Sequence, residues 1–404
     1  MTDDGRKADV LSLVLMLGFM SAALTLSMVA VVTPRLEDDL GLTGSQVGLL
    51  MSGFLFAYGL AQIPAGAAAA RWGGPVLAAS YVLMCLGSLL LAVADSFSLL
   101  IAARVIQGVG AGIALPASGV VMSARIPVPR LGRAWGIFGS GWGIGSIVAL
   151  LVLPSLAGAG GVMAASLSTA GIVAVAAIVA LSQGVFTTRV TRAAGGAAAD
   201  LWTEFKAVAG RPAVNLLGLF NASALAVGVG ALAWTPSFLT DEHGTSTAVA
   251  AYLTAGLGAA QIVATPAGAA FASRFGPRST LGIAFAGMAV LAALVPFLPG
   301  AAIVFPAIIL VGFFSMMYFP PTFAQVPRVV DPTHVGLTNG YINAEGFLGS
   351  LIAPWVFGLL LDAGRGYTAG YLFLALCGLA GLVGVPVFFS VTSRTKTYQA
   401  PEEA

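Results

Sequence analysis

The pattern of hydrophobic and polar positions consists of long apolar runs separated by short polar breaks. Each run has about 20 residues, enough for a helix to cross the roughly 30 Å hydrocarbon core of a bilayer. Twelve such runs predict twelve membrane helices and an all-α integral membrane fold. The first six predicted spans are 10–32, 46–69, 75–94, 97–122, 134–154 and 162–181, and the second six are 213–239, 248–271, 279–298, 301–319, 339–361 and 371–391.

A more polar stretch, 182–212, separates the two sets of spans. Within it, the residues 200–210 have the pattern of a short amphipathic helix that lies on the membrane surface. We therefore predict an N-terminal six-helix bundle over 1–181, a cytoplasmic linker over 182–212, and a C-terminal six-helix bundle with a cytoplasmic tail over 213–404.

Composition narrows the class of protein. Apolar residues make up 58% of the chain and charged residues only 8%, against roughly 25% charged residues in soluble domains. Acidic residues near the N-terminus argue against a cleaved signal peptide. The two cysteines, Cys85 and Cys377, lack the spacing of a metal site or a redox pair. A net charge of +2 without a basic block argues against a nucleic-acid partner, and no cofactor or metal ion is expected.

The distribution of basic residues predicts the orientation, because short cytoplasmic loops are enriched in Lys and Arg. If both termini are cytoplasmic, Arg35 and Arg365 are the two basic residues in outer loops, and Arg104 lies within a span. All the others among the 18 basic residues fall on the inner side. We therefore expect a multi-pass protein of the cytoplasmic (plasma) membrane with both termini inside.

Arg104 lies inside the fourth predicted span. A charge near the centre of a bilayer costs at least roughly 3 kcal/mol on insertion scales. One explanation is a structural or snorkelling arginine. The other is an arginine that faces a polar cavity, where it binds an anion, pairs with an acid or gates a path.

Glu345 is the one acid that we place inside a span. A protonated carboxyl costs less free energy to bury than a carboxylate, which makes Glu345 a candidate proton carrier. The alternative is a glutamate near the inner interface that reaches water. At about 1.5 Å per residue, Arg104 and Glu345 lie on opposite sides of the bilayer midplane. We therefore expect a division of roles between them rather than a direct ion pair.

The two halves of the chain share short motifs in the same order, which is typical of transporters built from repeats. The spacing between the copies is about half the chain, and the copies occupy equivalent topological positions. The pairs are Thr33-Pro34 with Thr235-Pro236, Pro64-Ala65-Gly66 with Pro266-Ala267-Gly268, and Arg71-Trp72-Gly73 with Arg274-Phe275-Gly276.

These motifs resemble those of the major facilitator superfamily, and the resemblance runs over 10–391. In that family the loop between spans two and three carries a pattern like G-x-x-x-D-R-x-G-R. Ala70 takes the place of the aspartate in the first copy, and Ser273 does so in the second, so the charge latch of the family is incomplete. The resemblance implies a role in conformational change for the positions that fit the two loops: Gly66, Arg71, Gly73, Arg274, Gly276 and Arg278.

The fourth span provides a second resemblance, because Arg104, Gln107 and Gly108 fit the family pattern R-x-x-Q-G-x-G. In the family, spans one, four, seven and ten line the solute cavity. For each polar or aromatic residue on these spans, a structural role is an equally open alternative. Such a role is helix packing, or a hydroxyl that bonds to a carbonyl of the preceding turn. The residues to which the resemblance gives a cavity role are Ser21, Thr25, Ser27, Arg104, Gln107, Asn221, Ser223, Trp234 and Tyr318.

Together these features predict a secondary active transporter, not an enzyme, that works by alternating access. Our hypothesis is that a monomer takes up a small organic anion with protons, with Arg104 attracting the anion and in contact with solute or water. The first alternative is a proton-coupled efflux antiporter for drugs or metabolites, although the fifth span lacks the antiporter pattern G-P-x-x-G-G. The second is a membrane sensor or scaffold that transports nothing.

Overall fold

The computed structural model describes residues 3–42, 44–189 and 201–394, and every regular element in these ranges is a helix. Two short 3₁₀ turns lie at Val295–Phe297 and Pro332–His334. The α-helices are α1 (Asp3–Leu40), α2 (Gly44–Trp72), α3 (Gly74–Ala92), α4 (Phe97–Arg125), α5 (Val128–Ser182), α6 (Leu201–Ala209), α7 (Pro212–His243), α8 (Thr247–Leu294), α9 (Ala301–Met317), α10 (Phe319–Phe323), α11 (Val326–Val329), α12 (Val335–Asp362) and α13 (Gly366–Arg394).

Within the described residues, 10 helices are long and apolar enough to cross a membrane, judged by length and composition. Two of them contain a break in the helical backbone. The break in α5 lies at Gly160 and Gly161, and the break in α8 lies at Gly276. Each of these two helices therefore supplies two spans, which gives the twelve spans that the sequence predicts.

The short helix predicted between the two sets of spans is confirmed as α6. Its aromatic residues Trp202 and Phe205 stack with their ring centres 5.5 Å apart. The remainder of the predicted linker includes residues 190–200, which lie outside the described residues, as do the side chains of Thr33 and Pro34.

The two predicted conformational loops share an unusual backbone geometry. Gly73 has a φ of 64° between α2 and α3, and Gly276 has a φ of 81° inside α8. Only glycine adopts such angles without a steric penalty. Pro75 and Pro277 follow closely, at the start of a helical segment, where the missing N–H of proline is tolerated.

Each loop also carries an arginine over an aromatic ring. The guanidinium carbon of Arg71 lies 5.4 Å from the ring centre of Trp72, and that of Arg274 lies 5.3 Å from the ring centre of Phe275. The repeat that is visible in the sequence therefore extends to backbone conformation and to side-chain contacts.

The chain divides into two compact units. Unit 1 contains the residues up to Phe205 together with Pro332–Tyr341, and unit 2 contains Lys206–Asp331 and the residues from Ile342 onward. The first division falls inside the predicted linker. The start of α12 belongs to unit 1, whereas the rest of this helix belongs to unit 2.

Glycines set the helix contacts of unit 1. On α4, a methyl group added at Gly108 or Gly112 would meet the carbonyl oxygen of Phe54 or Tyr58 on α2. Small residues that allow the backbones of two helices to approach are the usual basis of helix association in membranes.

Helix α5 contacts α1 in the same way. Methyl groups added at Gly141 and Gly145 would meet the carbonyl oxygens of Met16 and Met20. In unit 2, Gly268 of α8 lies against the carbonyl of Met317 at the end of α9. Both units therefore rely on backbone contact between helices.

We predict that Gly145→Ala lowers the free energy of unfolding by about 1–3 kcal/mol, because the new methyl group must push α5 away from α1. Gly171→Ala is the matched control on the same helix, since nothing lies within 4 Å of a methyl group there. The control should change stability by less than about 1 kcal/mol. Thermal unfolding in detergent measures both, and equal losses would contradict the packing argument.

Candidate functional site

Arg104 is fully buried in unit 1 and donates to the backbones of two neighbouring helices. Its Nε donates to the carbonyl of Leu50 on α2 at 3.2 Å. Its Nη1 donates to the carbonyl of Thr25 on α1 at 2.9 Å, and its Nη2 donates to the carbonyl of Leu26 at 3.3 Å. One side chain of α4 therefore connects three helices.

Gln107 extends this network along α4. Its Oε1 accepts a hydrogen bond from Nη1 of Arg104 at 2.8 Å, and its Nε2 donates to Oγ of Ser88 on α3 at 3.0 Å. The ring of Phe54 lies under the guanidinium, 4.4 Å from its central carbon. The spacing of three residues between Arg104 and Gln107 places the two side chains on one helix face, as the sequence predicts.

The surroundings of Arg104 differ from the sequence expectation. We expected contact with solute or water, whereas the structure buries the guanidinium among helices of unit 1. Carbonyl oxygens replace water because each offers a partial negative charge at hydrogen-bonding distance. No carboxylate in the described part of the chain is among the hydrogen-bond partners of Arg104, so its positive charge faces the dipoles of neutral groups and the ring of Phe54.

The hydroxyl groups predicted on the first span bond locally. Oγ1 of Thr25 donates to the carbonyl of Ser21 at 2.6 Å, and Oγ of Ser21 donates to that of Leu17 at 2.8 Å. Oγ of Ser27 donates to Oγ of Ser146 at 3.4 Å. Thr25 thus contributes its carbonyl oxygen to the Arg104 network, while its hydroxyl back-bonds within α1.

Asn221 and Tyr318 form the polar centre of unit 2. The hydroxyl of Tyr318, at the break between α9 and α10, donates to Oδ1 of Asn221 on α7. Nδ2 of Asn221 donates to the carbonyl of Ile342 on α12 at 3.0 Å. Both side chains are buried, so this bonded pair joins three helices of unit 2.

Trp234 lies apart from that pair and contacts α12. Its indole Nε1 donates to the carbonyl of Pro354 at 2.9 Å. Its ring stacks on Phe357, with the ring centres 5.4 Å apart and the planes at 10°. This geometry is typical of a packing residue with a satisfied N–H group.

Glu345 projects from α12 toward α7 and lines a cavity of about 560 Å³. A methyl group at Gly218 of α7 would overlap its carboxylate. The cavity lies between α7, α12 and α13, and every residue that lines it belongs to unit 2. Ser223 is another of the predicted site residues that lines it.

The start of α12 makes a contact in unit 1 that the sequence reasoning missed. A methyl group at Gly66, one of the loop positions, would meet the carbonyl oxygen of Gly336, and one at Gly340 would meet that of Gln62. The signal in the sequence is the pair Gly336 and Gly340, four residues apart on one helix face. Such pairs mark close helix approach in membranes.

A comparison with protein families identifies the class of protein. The family model described as Major Facilitator Superfamily matches residues 15–260 and 222–404. The chain belongs to the Major Facilitator Superfamily. It is therefore a multi-pass membrane transporter of the superfamily and not an enzyme, as the sequence motifs predict.

Relatives within the superfamily have names that refer to different transported solutes. "Nitrite extrusion protein" of Bacillus subtilis (strain 168) is 26% identical over 388 residues, which are 96% of this chain and 95% of that protein. Multidrug efflux pump SdrM of Staphylococcus aureus (strain N315) is 31% identical over 144 residues, 35% of this chain and 32% of the pump. Probable anion transporter 3, chloroplastic, of Arabidopsis thaliana is 34% identical over 122 residues, 30% of this chain and 24% of that protein.

Solved structures confirm the superfamily fold. A structure of the E. coli fucose:proton symporter, FucP, matches with a TM-score of 0.78 at 18% identity, covering 94% of this chain and 98% of the symporter. The human organic anion transporter MFSD10 matches with a TM-score of 0.76 at 17% identity, covering 95% of this chain and 100% of that chain.

We predict that Arg104→Met destabilises the protein, because three backbone carbonyls and Gln107 lose a charged donor. A buried hydrogen bond to a charged group contributes about 1.5–3 kcal/mol, so the variant should lose at least about 2 kcal/mol of unfolding free energy. Arg125→Met, on the exposed last turn of the same helix, should lose less than about 1 kcal/mol. Thermal unfolding measures both, and unchanged stability in Arg104→Met would show that the network does not hold unit 1 together.

Proposed function

We propose that this superfamily member moves a small anion across the membrane by alternating access, coupled to protons. The observation that carries the proposal is the buried charge of Arg104, which is bonded by carbonyl groups and by no carboxylate among the described residues. Carbonyl dipoles solvate a cation without cancelling its net charge. The interior of unit 1 therefore keeps a positive potential.

That potential is large enough to favour an anion. Two opposite unit charges about 8 Å apart attract each other by roughly 2 kcal/mol at an effective dielectric constant of about 20. An anion therefore need not touch Arg104 to be selected. Four of the five guanidinium N–H groups already donate to the protein, which suits Arg104 to act through its field.

Glu345 is the group that we propose to carry the proton. Its carboxyl lines the cavity in unit 2 and lies against Gly218. In an apolar cavity the neutral and charged forms of a carboxyl differ strongly in free energy, so a conformational change that alters the cavity also changes proton binding. Arg104 and Glu345 belong to different units, which fits separate roles for solute and proton.

The relatives support an anion as the solute. The relative that aligns over 96% of this chain is named a nitrite extrusion protein, and a partial relative is named a probable anion transporter. We propose uptake with protons as the direction, since an inward proton gradient drives symport inward. We also propose a monomer in the plasma membrane with both termini in the cytoplasm, as the basic residues indicate.

The second candidate function is proton-coupled efflux of amphipathic compounds. The apolar cavity beside Glu345 and the partial match to a multidrug efflux pump favour it. The sign of net flux under a proton gradient separates this candidate from uptake of an anion.

Flux in proteoliposomes tests the proposal. Vesicles with purified protein should exchange labelled nitrite, nitrate or small carboxylates in counterflow, and sugars, amino acids and cationic dyes should not exchange. An inward proton gradient should drive net accumulation of the accepted anion. Exchange of cationic dyes without anions would favour the efflux candidate, and flux of none of these anions would contradict the proposal.

We predict that Glu345→Gln abolishes accumulation of the anion under a proton gradient but retains anion counterflow. Counterflow exchanges solute without net proton movement, whereas accumulation needs a group that binds and releases a proton. Glu242→Gln, an exposed acid at the end of α7, is the matched control and should accumulate normally. Solute-linked acidification of Glu345→Gln vesicles at the normal rate would exclude Glu345 as the proton carrier.

A further inference from the structure

The start of α12, which belongs to unit 1, lies directly against the backbone of α2. A methyl group added at Gly336 would meet the carbonyl oxygen of Gly66. One added at Gly340 would meet the carbonyl oxygen of Gln62. The same position, Gly336, also lies against the side chain of Val120 on α4. This segment of α12 therefore packs on α2 and α4 at once, with no side chain between its glycines and α2.

Asn339 brings a polar side chain into this contact. The residue is 1% exposed, and neither Nδ2 nor Oδ1 has a hydrogen-bond partner among the described residues. A methyl group added at Gly119 of α4 would overlap Nδ2 of Asn339, and it would also contact the ring of Trp135 on α5. The amide of Asn339 thus lies against the backbone of α4 and beside an aromatic ring.

Burial of this amide has a cost that depends on conformation. A carboxamide in water bonds through its oxygen and its two N–H groups. When it is buried without a partner, no protein hydrogen bond replaces those to water. If the start of α12 moves away from α4, the amide regains water and the cost disappears. Asn339 therefore favours separation of this segment, whereas the glycine contacts favour packing.

We propose that Asn339 keeps the packing of the α12 start on α2 and α4 reversible. The backbone contacts at Gly336 and Gly340 stabilise the packed arrangement, and the buried amide limits that stabilisation. Both arrangements then stay populated, as a protein that changes conformation in each transport cycle requires. An apolar side chain at this position should hold α12 in the packed arrangement.

This role rests on alternating access, which is part of the proposed function, but it needs neither the anion nor the proton. It concerns the equilibrium between two arrangements of one helix segment. A measurement of that equilibrium without solute can fail while the transport proposal holds, and the reverse is equally true.

A single cysteine beneath α12 reports the separation. The protein carries Val120→Cys in a background of Cys85→Ala and Cys377→Ala, which removes both native cysteines. Val120 is 4% exposed and lies against Gly336. N-ethylmaleimide should therefore reach the new thiol when the start of α12 has moved away. The rate of alkylation is measured by mass spectrometry of the full-length protein in nanodiscs, with no solute present.

Asn339→Leu should slow this alkylation by about tenfold, because the packed arrangement no longer contains a buried amide without a partner. Leucine has the branched shape of asparagine and fits the same space. Asn339→Met, whose flexible side chain adapts to irregular gaps, should give the same slowing if the branch of leucine does not fit. Alkylation that is unchanged or faster in both variants would overturn the proposal.

Thr338→Val is the matched control on the same helix. Thr338 is also buried, and its Oγ1 has no hydrogen-bond partner within the described ranges. At about 100° per residue, however, it lies on the face of α12 opposite Gly336 and Gly340. Thr338→Val should therefore leave the rate of alkylation unchanged. Equal slowing in Thr338→Val and Asn339→Leu would overturn the proposal.

A second reporter position tests access of the reagent itself. Gly132→Cys places a thiol on α5 where nothing lies within 4 Å of the added carbon. Alkylation at this open position should not respond to Asn339→Leu. The same tenfold slowing there would show that the effect is not confined to the contact beneath α12, and it would overturn the proposal.

Discussion

Helices in a bilayer associate through close backbone contact, because lipid chains are as apolar as a leucine side chain and hydrophobic burial gives no preference for protein over lipid. The structure follows this constraint throughout. Gly108 and Gly112 bring α4 against α2, and Gly141 and Gly145 bring α5 against α1. Where glycine removes the side chain, dispersion contacts between backbones replace side-chain packing. The glycines at these helix contacts therefore serve packing, whereas others, such as Gly276, serve a turn of the backbone.

The same closeness explains how unit 1 accommodates an arginine. Helix carbonyls normally bond within their own helix, yet each oxygen has a second lone pair. Because α1 and α2 lie so near α4, the guanidinium of Arg104 reaches these second lone pairs at Thr25, Leu26 and Leu50. In a looser bundle the same side chain would need water or an acid. The burial of the Arg104 charge thus depends on the close approach of α1 and α2 to α4.

The sequence predicts the fold far better than it predicts the site. Apolar run length, basic residues in loops and repeated motifs are local patterns, and they predicted twelve spans and the superfamily that the comparisons confirm. The backbone breaks at Gly160, Gly161 and Gly276 fall in the gaps between predicted spans, so the sequence placed these boundaries as well. Most partners of Arg104 are backbone carbonyls, and the sequence cannot indicate them because every residue has a carbonyl group. Gly218 beside Glu345 likewise looks like any other glycine of a membrane helix until α12 lies next to α7.

The partners of Arg104 also bear on how the chain enters the membrane during synthesis. Helices α1 and α2 precede α4, so the ribosome delivers them first. The carbonyls of Thr25, Leu26 and Leu50 are then already in the bilayer when Arg104 leaves the translocon. An isolated fourth helix would have an insertion penalty of roughly 3 kcal/mol for that charge. When α4 inserts beside α1 and α2, the guanidinium can donate hydrogen bonds to their carbonyl groups. The order of helices along the chain thus places the hydrogen-bond acceptors of Arg104 in the membrane before Arg104 itself.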